Sequence, residues 1–350
     1  MTATPSSWSS EALASRRFAR ITAALALLLA AAALFALYEG RFALSAQAFF
    51  NALAAPFSDT PAHGAARVVE NLIWNVRLPR IALALLAGAG LSMAGAAFQS
   101  LFNNPLASPD TLGVATGASL GAVLAMLAGA GGLAIQGAAL ASGLLSVAAV
   151  MAIAKTGEDS PLMLVLAGMV VAAFGTALVS LVKYAADPQD VLPQITFWLM
   201  GALSGATYAS LATGMPVVLA GMFVLWLLRW RLNAAALPAD EAASLGIHPA
   251  RLRAIVIAAA TAVTAGVVSM VGLIGWVGLL VPHAARLLLG ADNRFVMPAS
   301  ALLGALFMLA ADTLARTLTA AEIPVSVVTA LIGAPVFIWL LRRTGAGRLA

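Results

Sequence analysis

The 350 residues include no cysteine, which excludes disulfides and thiolate metal sites. Charge is scarce too. Asp, Glu, Lys and Arg make up 9% of the chain, against about 25% in an ordinary soluble domain. Lysine occurs only as Lys155 and Lys183. Neither follows a glycine, so the G-x-x-x-x-G-K-[ST] phosphate loop is missing and the chain cannot hydrolyse ATP in the usual way. His63, His248 and His283 stand alone, without H-E-x-x-H or other metal-ligand spacing. No paired carboxylates lie within an apolar run. The sequence therefore assigns no catalytic residue, no metal ligand and no cofactor to this chain.

What is present is apolar: 62% of residues are hydrophobic. A membrane span takes about 20 such residues, so the length holds about ten spans and no sizeable soluble domain. The expected class is an all-α polytopic membrane protein. Its expected spans are 19–38, 81–102, 112–129, 133–154, 161–183, 211–230, 254–271, 272–290, 297–315 and 324–341. Residues 1–18 and 344–350 are read as tails flanking one transmembrane domain, 19–343. Arg16, Arg17 and Arg20 before the first apolar run resemble a signal peptide's charged region. The run is long enough to span, and Tyr38-Glu39-Gly40 is a poor cleavage site, so the first helix is expected to be retained.

Arginines cluster at span ends, which makes the net charge of +5 a membrane pattern, with lipid rather than nucleic acid as the partner. Counting Lys and Arg puts the richer set, from Arg16 to Arg348, on the side holding both termini. That side is expected to be cytoplasmic. Arg41, Arg67, Arg77, Arg80, Lys183 and Arg316 fall on the other side. Gly117 with Gly121, and Gly201 with Gly205, have the spacing of closely packed helices.

Three local features point to function. Residues 103–116, NNPLASPDTLGVAT, put two prolines and polar residues between apolar runs. Pro105 ends a helix, and irregular backbone near membrane depth survives only when buried in protein or lining a watery cavity. An ordinary turn between spans is the other reading. The loop 231–253, RLNAAALPADEAASLGIHPARLR, reads as two short helices, with Gly246 as a C-cap and Pro249 opening the second. Its Ala242, Ala243, Leu245 and Ile247 suggest an apolar knuckle for another protein. Finally, Asp312 and Arg316 are one helical turn apart and can pair. Asp312 is the main candidate for proton coupling in an ion-driven carrier, the less favoured alternative.

Several segments together resemble the FecCD-type permeases of ABC importers for ferric siderophores, haem and vitamin B12. They are Arg77-Leu78-Pro79-Arg80, Gly95 with Gln99, Asn104-Pro105-Leu106-Ala107, Leu112-Gly113-Val114 and Phe197-Trp198-Leu199-Met200-Gly201. Further on come Ala243-Ser244-Leu245-Gly246-Ile247, Gly275-Trp276-Val277-Gly278-Leu279, Pro282-His283 with Arg286, Asp312 with Arg316, and Gly333-Ala334-Pro335-Val336-Phe337. The resemblance implies a vitamin B12 importer permease-like bundle in a bacterial inner membrane, paired as a homodimer. It also implies two ATP-binding cassette subunits that carry ATP-Mg, and a periplasmic binding protein that delivers a metal chelate. Residue by residue, it implies a translocation gate at Asn104, Pro105, Leu106 and Ser160. It places the ATPase coupling loop at Ala243, Leu245, Gly246, Ile247 and His248, and binding-protein docking at Arg77, Arg80 and Arg316. Among cargoes, residues 187–201 incline the reading to ferric siderophore over haem or cobalamin.

Overall fold

A computed structural model describes residues 5–57, 63–154, 161–235, 237 and 239–346, and the regular elements among them are all helical. In chain order they are α1 (Pro5–Tyr38), α2 (Ala46–Ala54), α3 (Ala65–Asn71), α4 (Leu78–Leu101), α5 (Val114–Leu127), α6 (Gly132–Ala154) and α7 (Pro161–Ala185). There follow α8 (Val191–Leu199), α9 (Tyr208–Leu228), α10 (Arg231–Ala234), α11 (Ala239–Ser244), α12 (Pro249–Val271), α13 (Val277–Leu289), α14 (Asn293–Thr317) and α15 (Val325–Ala346). Among the described residues, seven helices are long and apolar enough to cross a membrane, and three shorter apolar ones, at Val114–Leu127, Val277–Leu289 and Val325–Leu340, accompany them. Each coincides with one of the expected spans.

The differences lie at the ends. α1 starts at Pro5 rather than after a tail. The expected second helix of the 231–253 loop is the first turn of α12, which Pro249 opens and which continues to Val271. Proline costs nothing there because the first N–H groups of a helix have no intrahelical acceptor. Helices α2, α3, α8 and α10 have no counterpart among the expected elements. α8 follows an Asx turn, in which the Asp187 carboxylate accepts from the amides of Gln189 (2.8 Å) and Asp190 (3.0 Å).

α4 is the axis of the bundle. Nineteen of its residues are buried, among them Leu83, Ala87, Ala94, Ala97 and Phe98. It packs against α9, α12, α13 and α14. Lipid tails are as apolar as leucine, so little hydrophobic force draws helices together in a membrane; close van der Waals approach does the work. Glycines permit it here. A Cβ on Gly88 would overlap the Gly304 carbonyl on α14, and one on Gly95 would overlap the Gly278 carbonyl on α13. Gly117 and Gly121 likewise seat α5 on Ser146, Ser142 and Ala138 of α6. The other expected pair does not pack this way. Gly205 meets nothing within 4 Å, and Gly201 is required by its φ of +65° and its contact with the Leu273 carbonyl.

The apolar run 254–290 divides at Gly272–Trp276, where Gly272 (φ 74°) and Trp276 (φ 72°) both take positive φ. Such a backbone is costly for a tryptophan. It brings the indole against Gly333 and Phe337 of α15. Nearby, the Ala202 amide donates to the Val271 carbonyl (2.8 Å) and the Val325 amide to the Gly201 carbonyl (3.1 Å). The Phe197–Gly201 motif thus ends in a junction of α8, α12 and α15.

Gly95→Val places its added carbons in the Gly278 backbone and is expected to destabilise the chain by about 1–3 kcal/mol or more. Gly205→Ala, which meets open space, should be neutral or slightly stabilising. Thermal unfolding of the purified proteins in detergent checks the contrast; equal midpoints would contradict the close-packing account.

Candidate translocation gate, coupling face and ion cluster

Two polar regions occupy opposite ends of α4. The first begins where α4 stops. Phe102 N–H donates to Phe98 and Asn104 N–H to Gln99 (3.0 Å). Asn103 between them has φ 45°. This is a Schellman stop, with asparagine as the left-handed residue in place of glycine. The Asn104 side chain then accepts from the Leu106 amide (2.9 Å), and the Asn104 carbonyl from the Ala107 amide (3.1 Å). Ser108 N–H donates to Thr111 Oγ1 (3.0 Å), opening the short turn Pro109–Leu112. Ser146 Oγ donates to the Gly113 carbonyl (3.0 Å). The segment is therefore an ordered turn with a satisfied backbone. Asn103, Asn104, Pro105 and Leu106 lie on its surface. Leu106 is 55% exposed, an apolar tip held by polar scaffolding. Ser160 lies outside the described residues.

The 231–253 loop lies at the same end of the bundle. Gly246 takes φ 73° and caps α11: Gly246 N–H donates to Ala243 (2.9 Å) and Ile247 N–H to Ala242 (3.1 Å). This cap matches the sequence expectation. Ala242 and Ile247 point inward, while Ala243, Leu245, Gly246 and His248 are exposed. A small cavity of about 90 Å³ lies between Leu101 at the end of α4 and Ala242, Ile247 and Leu252. On the outer side, a cavity of about 430 Å³ is lined by Trp230, Arg231, Leu245, His248, Arg251 and Ile255. An exposed leucine over a basic-apolar recess has the form of a docking surface.

The second region lies at the opposite end of α4. Arg80 Nε donates to both Asp312 oxygens (2.9 and 3.2 Å), its Nη2 lies 2.9 Å from Asp312 Oδ1, and its Nη1 reaches Glu322 (3.0 and 3.1 Å). Asp312 is 1% exposed. The expected pairing of Asp312 with Arg316 is secondary: Arg316 Nε lies 3.8 Å from Asp312 Oδ2 and has no hydrogen bond. Packing of α4 on α14 brings Arg80 closer than the neighbour one turn away. Arg77 donates to the carbonyls of Leu37 (2.7 Å), Tyr38 (2.5 Å) and Phe42 (2.9 Å), and Arg316 to that of Ala36. The structure thus places the docking arginines of the sequence reading, Arg77, Arg80 and Arg316, inside the chain, at 4%, 9% and 7% exposure. Each is already engaged with a carboxylate or carbonyls. Arg41 and Arg67 at this end are exposed.

Sequence reasoning missed Glu322, Asn233 and Asn293. Glu322 is a lone acid in a loop, and nothing local links it to Arg80, 242 residues away. No group of three or more His, Cys, Asp or Glu side chains close enough to share a metal ion occurs among the described residues.

The helical bundle, with its interrupted, glycine-packed core, is the setting for the family resemblance. Residues 27–343 match the FecCD transport family, and the chain belongs to it. It is thus a multi-pass inner-membrane protein of the kind that serves as permease subunit in ABC importers, a family without ATP-hydrolysing motifs of its own. It is 38% identical over 332 residues to the molybdate import system permease protein MolB of Haemophilus influenzae, covering 94% of this chain and 98% of that one. It is 37% identical over 286 residues to the Fe(3+) dicitrate transport system permease protein FecC of Escherichia coli, covering 79% and 84%. A solved inward-facing structure of a metal-chelate type ABC transporter superposes with TM-score 0.84 at 37% identity, covering 93% of this chain and 99% of that one.

Removing one partner of a buried ion pair strands the other charge, at a cost of about 3–5 kcal/mol. Arg80→Ala should lower the unfolding midpoint in detergent, and joint replacement by Arg80→Met and Asp312→Leu should recover most of the loss. A single variant as stable as the parent would show that the pair holds nothing together.

Proposed function

We propose that the chain is the membrane subunit of a binding-protein-dependent ABC importer that moves a metal chelate, a ferric siderophore, into the cytoplasm by alternating access, driven by a separate ATPase. The observation that carries this reading is the shared placement of the Leu106 turn and the Leu245–Gly246 knuckle at one end of the bundle. ATP-driven rearrangement acts on the knuckle, and the turn closes the pathway. Two copies would set two Leu106 tips against each other, with Asn104 fixing each turn and Pro105 its direction. Ser160 would add the second gate. The Arg-rich side, with both termini, would face the cytoplasm.

Periplasmic docking on Arg77, Arg80 and Arg316 belongs to the same reading, with a condition: a partner carboxylate has to displace Glu322 from Arg80. Charge-assisted pairing of this kind fixes register and speeds encounter. Proton coupling through Asp312, the alternative carrier mechanism, fits poorly with a carboxylate locked on Arg80.

Cargo is the finer step. Haem and cobalamin stand beside ferric siderophore as chelates. A second reading, import of an oxyanion, is favoured by the full-length similarity to MolB, which is named for molybdate.

A strain lacking the protein, supplied in turn with labelled ferric siderophore, haem, cobalamin and molybdate, decides among these. Chelate uptake restored by the wild type supports the proposal, and uptake of molybdate alone transfers it to the oxyanion. Leu106→Trp is expected to abolish uptake without loss of membrane-inserted protein. Gly246→Glu, a side chain at φ 73° on the knuckle, should do the same. Full uptake by either variant would remove its assigned role.

A further inference from the structure

A chain of buried and half-buried polar side chains runs from the coupling segment to the gate turn. It begins at Asn233 on α10, the first turn of the 231–253 loop. Asn233 Nδ2 donates to Asp292 Oδ1 (2.7 Å), while its Oδ1 accepts from Asn293 N (2.8 Å) and Asn293 Nδ2 (2.9 Å). Partial burial disfavours the Asp292 carboxylate, but hydrogen bonds from Asn233 and Arg294 outweigh it and hold its pKa below the ordinary value. Asn293 Oδ1 accepts from Ser100 Oγ on α4 (2.8 Å), whose single proton also lies within reach of the Ala96 carbonyl (2.9 Å). Ser100 Oγ in turn accepts from Arg286 Nη2 on α13 (3.0 Å). Arg286 also donates to Gln99 Oε1 and to the Ala96 carbonyl (3.2 Å). Gln99 Nε2 reaches the Leu279 carbonyl (3.1 Å). Finally, the Gln99 carbonyl receives the Asn104 amide, the bond that sets the gate turn.

Gln99 and Asn293 are 3% and 4% exposed. Buried polar networks in a low-dielectric interior are costly unless every member is satisfied. This one joins four helices, α4, α10, α13 and α14, with the one Ser100 proton shared between Asn293 and the Ala96 carbonyl. Apolar neighbours can slide past one another; hydrogen-bonded amides with fixed partners cannot do so without breaking bonds.

We propose that the Asn233–Asn293–Ser100–Arg286–Gln99 chain is the mechanical link by which displacement of the coupling segment moves the gate turn. Asn293 and Ser100 are then positioning residues for transport. The link rests on the gate and coupling roles proposed above. It adds a route between them and a prediction that differs from simple loss of stability: severing it separates ATP hydrolysis from gate movement.

The absence of cysteine makes the gate easy to probe. Leu106→Cys is introduced, the permease is reconstituted with its cognate ATPase, and labelling by a membrane-impermeant maleimide is timed without nucleotide and after trapping with ATP and vanadate. In the otherwise intact chain the labelling rate should change with nucleotide by about tenfold, within the span of ordinary coupling between sites. With Asn293→Leu or Ser100→Ala added, the complex should assemble and hydrolyse ATP at the parent rate, while the labelling rate no longer follows nucleotide. Asn293→Gln, which keeps the amide, should restore part of the response. Undiminished nucleotide response in both severed variants overturns the proposal, as does parallel loss of hydrolysis and response in both, which marks a merely structural role. An intact chain whose labelling ignores nucleotide overturns the gate reading itself, and the link with it.

Discussion

Backbone-to-backbone packing of α4 is the constraint on which the rest of the molecule depends. A membrane offers little reward for bringing apolar surfaces together, so the central helix has to gain its hold from contact distance. Gly88 against α14 and Gly95 against α13 supply that contact. Once α4 is fixed on these two helices, its ends are fixed as well. One end presents Arg80 to Asp312. The other presents Gln99 and Ser100 to Arg286 and Asn293. Both polar clusters follow from the same two glycine contacts.

The two ends have different characters. The Arg80 end holds a buried ion pair with a second carboxylate, Glu322, along with guanidinium groups spent on the carbonyls that end α1. Ion pairs of this sort are poor sources of net stability, but breaking one is expensive, so the end is held in register. The Gln99 end is built from amides, a hydroxyl and one arginine with fixed partners on four helices. It holds no buried ion pair among the described residues, so it can shift as one linked unit with the loop at α10. A bundle anchored by an ion pair at one end and able to transmit displacement at the other suits a permease whose ATPase acts from one side.

Much of this was legible in the sequence, for identifiable reasons. Span positions follow from the length of apolar runs, and their breaks follow from glycine and proline. Pro105 marks the end of α4, Gly246 the cap of α11, and Pro249 a helix start, although that start belongs to a full span. What local reasoning could not reach was pairing across the chain. Asp312 has Arg316 one turn away, so helical spacing chooses that partner; the folded chain chooses Arg80, 232 residues distant, because α4 lies against α14. Asn233 and Asn293 carry no spacing signal at all. Docking arginines recognised by resemblance proved to be buried, because a motif specifies residue type and order but not which groups the rest of the chain has already engaged.

The central claim is that this chain moves its cargo with energy delivered through the coupling segment. The most direct test is uptake into proteoliposomes containing the chain, its cognate ATPase and its binding protein. The account predicts accumulation that requires ATP hydrolysis and is insensitive to ionophores that collapse proton and sodium gradients. Uptake that continues without the ATPase and stops with an ionophore would contradict it.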